Sequence, residues 1–108
     1  MTIQRLDEIL PEIVRRIAAA LQPERVYLFG SHSRGAAGPR SDIDILVVVA
    51  DSDQPGYKRD RIAYRALRGI AATLDVLVWT RQEFERGLRI RTSLSSSVQR
   101  TGRLLYAA

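Results

Sequence analysis

The chain contains no cysteine among its 108 residues. Disulfide bonds, thiolate metal sites and cysteine nucleophiles are therefore excluded, and a reducing cytoplasm is the expected setting. No apolar run approaches the roughly 20 residues that a membrane-spanning helix needs, and charged residues interrupt the N-terminal segment, so no signal peptide is expected. Lysine is nearly absent, because 16 of the 17 basic side chains are arginines.

Aromatic residues are also scarce, at 6% of the chain. Since neither an aromatic stacking platform nor a concentrated basic patch is visible, no nucleic-acid partner is expected despite the net charge of +5. Apolar residues make up 45%, which suits one globular domain over residues 1–108 with no membrane contact. The arginines of the C-terminal region either line a partner surface or are simply solvated: Arg86, Arg89, Arg91, Arg100 and Arg103.

The apolar spacing alternates between helical and strand-like segments. A helical stripe runs from Ile3 to Leu21, where Pro11 predicts either a kink or two short helices. The further predicted elements are strands at 25–29, 43–49 and 75–79, a short helix and then a loop between 30 and 41, a helix over about 57–73, a helix beginning at Arg81, a helix over 94–100 and an edge strand at 104–106. This order predicts an α/β (α+β) domain with a small mixed sheet flanked by helices.

Two aspartates lie at the start of the second predicted strand. Because side chains alternate along a strand, Asp42 and Asp44 are expected to point the same way while Ile43 points into the core. Adjacent carboxylates repel each other unless a cation lies between them, and Mg²⁺ prefers oxygen ligands. The pair therefore indicates a magnesium site, and the alternative is a loop end with solvated charges.

A glycine-serine turn follows the first predicted strand. Gly30 lacks a Cβ atom, so the backbone there can approach a ligand closely. Ser31 offers its hydroxyl and backbone N–H groups at the start of a short helix, where anions bind well, and Arg34 adds a permanent cation that suits a phosphate. Although an ordinary tight turn is the alternative, this turn ten residues ahead of an Asp-x-Asp strand favours nucleotide binding.

A third acidic residue, Asp75, begins the third predicted strand. If that strand lies beside the 43–49 strand, Asp75 can reach the two aspartates, bind the same metal and accept the proton of an attacking hydroxyl. The alternative is a surface residue at a strand start. His32, the only histidine, is expected to be a turn residue without a catalytic role, and Tyr57 and Tyr64 are expected to be packing residues.

Gly30-Ser31, ten intervening residues, Asp42-Ile43-Asp44 and the later Asp75 together resemble the signature of the DNA polymerase β-like nucleotidyltransferase superfamily. The short chain resembles the minimal nucleotidyltransferase branch of that superfamily in prokaryotes. The resemblance implies the nucleotidyltransferase fold, and transfer of a nucleoside monophosphate to a hydroxyl with release of pyrophosphate. ATP is the expected substrate, and two Mg²⁺ ions are the expected cofactors.

The same resemblance implies roles for the motif residues. Gly30 and Ser31 would hold the triphosphate, with Arg34 as a phosphate contact. The three carboxylates would ligate magnesium and form the catalytic set: Asp42, Asp44 and Asp75.

Members of this branch are commonly antitoxins paired with a helical HEPN-domain ribonuclease. The resemblance implies that the chain inactivates such a toxin by attaching AMP to a tyrosine near its active site. Two alternatives remain open. One is a non-catalytic antitoxin that neutralises its partner by binding, and the other is a transferase for a small hydroxyl substrate such as an aminoglycoside.

Overall fold

A mixed sheet of four strands forms the centre of the computed structural model, which describes residues 3–35 and 42–108. The elements in chain order are α1 (Ile3–Leu21), β1 (Arg25–Phe29), a 3₁₀ turn (Gly30–His32), β2 (Ile43–Val49), α2 (Gly56–Ala66), β3 (Leu74–Thr80), α3 (Arg81–Leu88), α4 (Leu94–Thr101) and β4 (Arg103–Ala107). The strand order is β3-β2-β1-β4, with β1 antiparallel to β2 and β4, and β2 parallel to β3. The expected mixed sheet flanked by helices is confirmed.

Alternating side chains of β2 divide the core between the two faces of the sheet. Ile43, Ile45, Val47 and Val49 pack under α1 and α2, whereas Leu46 and Val48 pack under α3 and α4. Every residue of β2 except Asp44 is buried, because both faces of the strand are covered by helices.

Helix α1 is continuous through Pro11, so the alternative of two short helices was wrong. Its core side chains recur every three or four residues, as expected for one helical face, and all are buried: Leu6, Leu10, Ile13 and Ile17. Pro11 lies between these positions and faces solvent. No helix in the described part of the chain is long and apolar enough to cross a membrane.

The second predicted helix was too long, because α2 ends at Ala66 rather than near Thr73. The Leu67 N–H closes the last turn on the Ala63 carbonyl, and Gly69 then adopts a φ of +92°, which leads the chain out of the helix. The other predicted elements lie within two residues of their observed bounds. Residues 36–41, part of the predicted loop, lie outside the described residues.

An ion pair between a buried arginine and a partly exposed glutamate joins α2 to the start of α3. Arg59 is only 6% exposed, and it donates hydrogen bonds to both carboxylate oxygens of Glu83, at 2.6 and 3.2 Å. Glu83 also accepts the Thr80 N–H at 2.8 Å, while the Thr80 hydroxyl accepts the Glu83 N–H at 3.2 Å. This is the capping box that the sequence predicted at the start of α3, with a guanidinium from a distant helix added to it.

Candidate functional site

Two of the predicted site aspartates lie side by side at one end of the sheet. In the parallel register of β2 and β3, Asp44 pairs with Asp75. Paired residues of neighbouring strands project from the same face, and this face is the one that α3 and α4 cover farther along the strands. Asp42 precedes β2 by one residue and is exposed. The second and third strands are therefore adjacent, which is the condition for Asp75 to reach the other aspartates.

The glycine-serine turn begins at this same end of the sheet. Because β1 runs antiparallel to β2, its last residue, Phe29, pairs with Asp44. Gly30 and Ser31 follow at once in the 3₁₀ turn, which the Ser33 hydroxyl stabilises by donating to the Gly30 carbonyl at 2.9 Å. The structure thus brings the turn and the strand aspartates to one place.

Gly30 lies so close to Asp44 that no larger residue fits at its position without a shift of the carboxylate. It adopts a φ of +73°, and a Cβ atom built on it would lie 2.1 Å from Asp44 Oδ2. The missing side chain therefore leaves the space that the Asp44 carboxylate occupies. The sequence indicated only the approach of a ligand at this glycine; its contact with Asp44 depends on the strand register.

Partial burial raises the pKa of the Asp44 carboxyl above its ordinary value, and repulsion from Asp75 and Asp42 raises it further. His32 and Arg34 act in the opposite direction and lower that pKa. Asp42, Asp75, His32 and Arg34 are therefore close enough to Asp44 to influence the ionisation of its carboxyl group. His32 lies in the turn as expected, and it also contributes to this electrostatic environment.

The donor chemistry of this end of the sheet fits a hard divalent cation. Carboxylate oxygens are the ligands that Mg²⁺ prefers, and a bound cation would relieve the repulsion that raises the pKa of Asp44. As they stand, no three aspartate, glutamate or histidine side chains within residues 3–35 and 42–108 form a group that holds a metal ion. The residues that fit such an ion are Asp42, Asp44 and Asp75.

The sequence interpretation of the two tyrosines of α2 was wrong. Tyr57 is 62% exposed and Tyr64 43% exposed, so neither packs in the core. The Arg61 guanidinium lies over the Tyr57 ring at 5.9 Å. The Tyr64 hydroxyl accepts the Val76 N–H at 2.9 Å and lies 3.5 Å from Asp75 Oδ1. No local sequence signal marks this contact between α2 and β3.

Comparisons with known proteins identify the domain family of the chain. The sequence profile of the nucleotidyltransferase domain matches residues 7–100, whereas no curated protein matches the chain. A crystal structure from Sulfolobus solfataricus, described as that of a candidate nucleotidyltransferase, is similar with a TM-score of 0.66 and 27% identity, over 92% of this chain and 78% of that one.

Toxin–antitoxin structures are similar as well. One, described as a toxin–antitoxin with AMP-PNP, has a TM-score of 0.67 and 25% identity over 92% of this chain and 73% of that one. A mutant of the MntA-HpeT toxin–antitoxin, at 21% identity over 92% of this chain and 73% of that one and a TM-score of 0.65, shares the fold. With the profile covering most of its length and the motif residues brought together at one sheet end, the chain belongs to the nucleotidyltransferase domain family.

Proposed function

We propose that this protein is a Mg²⁺-dependent nucleotidyltransferase antitoxin of the cytoplasm, which transfers AMP from ATP to a tyrosine hydroxyl of a HEPN-domain ribonuclease and so neutralises it. The observation that carries the proposal is the strand register that sets Asp75 beside Asp44, with Gly30 and Ser31 starting at the same sheet end. The similarity to a toxin–antitoxin described with AMP-PNP supports a nucleotide substrate and a protein partner.

The motif residues at this end of the sheet have separate roles in the proposed reaction. The N–H groups and hydroxyl of the Gly30-Ser31 turn bind triphosphate oxygens, and the Arg34 guanidinium offsets their charge. Two Mg²⁺ ions, held by Asp42, Asp44 and Asp75, would supply neutralisation of the phosphate charge when bound.

The acceptor must lose a proton as it attacks. Its oxygen forms a bond to the α-phosphorus, the bond from that phosphorus to the bridging oxygen breaks, and pyrophosphate leaves. Asp75 is the carboxylate that we assign to take the proton, because it is exposed beside Asp44, where an acceptor hydroxyl can reach it. The exposed position also leaves Asp75 accessible to a hydroxyl on the surface of another protein.

Intact-mass measurement tests the proposed reaction directly. The chain is co-expressed with the protein encoded by the adjacent gene, and the purified complex is incubated with ATP and Mg²⁺. We expect the partner to gain the mass of one or more AMP units, on a tyrosine identified by peptide mapping. EDTA, or an ATP analogue that is not cleaved between the α- and β-phosphates, should prevent the gain.

Two results would contradict this proposal. Full neutralisation of the partner without any added mass would indicate an antitoxin that acts by binding. Modification of an aminoglycoside by the isolated chain, with no modification of the partner, would indicate a transferase for small hydroxyl substrates.

Gly30→Ala is expected to lower the rate of AMP transfer at least about 100-fold, because displacing a reacting group by about 1 Å costs that much. The new Cβ would lie 2.1 Å from Asp44 Oδ2, so the carboxylate must rotate away. Gly35→Ala is the matched control, because Gly35 has a φ of +70° but no described atom lies within 4 Å of its Cβ position.

The two alanine variants separate backbone strain from the placement of Asp44. Both should lose similar free energy of unfolding, about 1 kcal/mol for an alanine at positive φ, and only Gly30→Ala should lose transfer. Equal transfer rates in the two variants would show that the position of Asp44 does not matter.

A further inference from the structure

Strand β3 lies at one edge of the sheet. One side of β3 pairs with β2, and two side chains of α2 form hydrogen bonds to the other side. Residues two apart on a strand direct their N–H groups to the same side. The Val76 N–H is accepted by the Tyr64 hydroxyl at 2.9 Å, and the Val78 N–H is accepted by Asp60 Oδ1 at 2.8 Å. Asp60 and Tyr64 are four residues apart, so they share one face of α2. These two contacts fix the position of α2 along β3.

Asp60 and Tyr64 differ in the groups of β3 that they contact. Asp60 bonds only the backbone at Val78, whose own side chain is buried in the core under α1 and α2. The Tyr64 hydroxyl has one proton to donate, and with the Val76 N–H on its lone pair this proton is directed to Asp75 Oδ1, 3.5 Å away. That distance is beyond the roughly 2.5–3.0 Å of an ordinary O–H···O hydrogen bond, so the carboxyl group is held more weakly than the backbone. Tyr64 therefore restrains both the backbone and the carboxyl group at the start of β3.

We propose that Tyr64 is a positioning residue for Asp75. The inference rests on the proposed function, in which Asp75 is the third carboxylate of the metal site. The Asp75 side chain is exposed, so without a partner its carboxyl group would sample several rotamers. Holding Oδ1 restricts that rotation and presents Oδ2 in one direction, which lowers the conformational cost of binding a cation.

The test compares Tyr64→Phe with Asp60→Ala in the full chain, without a toxin, using Mn²⁺ and ATP as the probe. Tyr64→Phe removes one oxygen from a side chain that is 43% exposed, so the variant should fold. We expect about a 10-fold loss of Mn²⁺ affinity in Tyr64→Phe, at the low end for a residue that orients a metal ligand. Asp60→Ala should stay within about twofold, because its contact is remote from the carboxylates.

Amide hydrogen exchange and kinetics supply two further readouts. Exchange should accelerate at Val76 in Tyr64→Phe and at Val78 in Asp60→Ala, which shows that each variant removed its own contact. In the complex that transfers AMP, Tyr64→Phe should lower kcat with little change in KM for ATP. In an Asp75→Ala background, Tyr64→Phe should cause no further loss of Mn²⁺ affinity, because the group it positions is gone.

Unchanged Mn²⁺ affinity in Tyr64→Phe, or equal losses in Tyr64→Phe and Asp60→Ala, would overturn the inference and leave Tyr64 as an edge contact of the fold. An additional loss in the Asp75→Ala background would overturn it as well. A different result would contradict the proposed function: a wild-type chain that binds Mn²⁺ with ATP but transfers no AMP. The Mn²⁺ affinities of the variants would still decide whether Tyr64 positions Asp75.

Discussion

Asp44→Asn is expected to lower the rate of AMP transfer about 1000-fold or more, a loss of about 4 kcal/mol of transition-state stabilisation. Asparagine keeps the shape of the side chain but removes the charge. Four neighbouring groups shift the pKa of the Asp44 carboxyl: Asp75, Asp42, His32 and Arg34. The charge of Asp44 therefore interacts with all of them. The measurement is the rate of AMP incorporation into the partner, followed by intact mass.

Asp51→Asn is the control for Asp44→Asn, because Asp51 is an exposed aspartate just beyond the other end of β2. It should transfer AMP at the wild-type rate. A rate for Asp44→Asn within tenfold of that control would rule out the proposed role of Asp44 as a metal ligand.

Asp44→Asn should raise the free energy of unfolding, although it lowers the rate of AMP transfer. Burial and repulsion raise the folded-state pKa of Asp44, so ionisation of this group costs stability, and the cost is fully present above the folded pKa. Removing the charge therefore raises the free energy of unfolding at pH 7. A variant that is more stable and inactive would separate catalysis from folding.

Glu83→Gln is expected to lower the free energy of unfolding by about 2 kcal/mol, because it leaves the buried Arg59 guanidinium without a counter-charge, although Glu83 itself is partly exposed. Arg59 is 6% exposed, and its Nε already has no hydrogen-bond partner among the described residues. Urea denaturation of wild type and variant measures the difference. The result would be contradicted by a loss below about 1 kcal/mol, the value typical of a surface ion pair.

Glu24→Gln is the matched control for Glu83→Gln. Glu24 also pairs with an arginine distant in sequence, Arg81, but both side chains are much more exposed than Arg59. Its neutralisation should cost less than about 1 kcal/mol.

The same ion pair should make stability depend on pH. The Arg59 hydrogen bonds lower the pKa of Glu83 from 4.5 to about 2. The folded-state pKa lies below the unfolded value, so the stabilisation is fully present above pH 4.5 and is lost as the pH falls toward 2. Between these limits the stability of Glu83→Gln should fall less steeply than that of wild type.

The elements that the sequence predicted well are those with local signals. Strands β1 and β2 are short apolar runs bounded by turn residues, and their predicted bounds match the observed ones. The capping box needs only Thr80 and Glu83, three residues apart, and it forms as predicted. The candidate site residues could be grouped in the same way, because the Gly30-Ser31 and Asp42-Ile43-Asp44 motifs flank a single connection between paired strands.

The features that the sequence did not predict depend on contacts between distant segments. The apolar spacing of α2 continues through Ile70 and Leu74, because both pack against the core although neither belongs to the helix. The spacing therefore gave no sign that the helix ends at Ala66. The pairing of Arg59 with Glu83 and of Tyr64 with Val76 depends on how α2 lies on β3, which no pattern within either segment records.

The pairing of Asp44 with Asp75 has a consequence for variation in chain length among related proteins. A residue inserted in the connection between α2 and β3 need not move Asp75, because the ladder between β2 and β3 holds it in place. Deleting a single residue inside β3, such as Val76, would turn the side chains on one side of the deletion to the opposite face of the sheet. A related chain should therefore tolerate an insertion in this connection more readily than a change of length within the seven residues of β3.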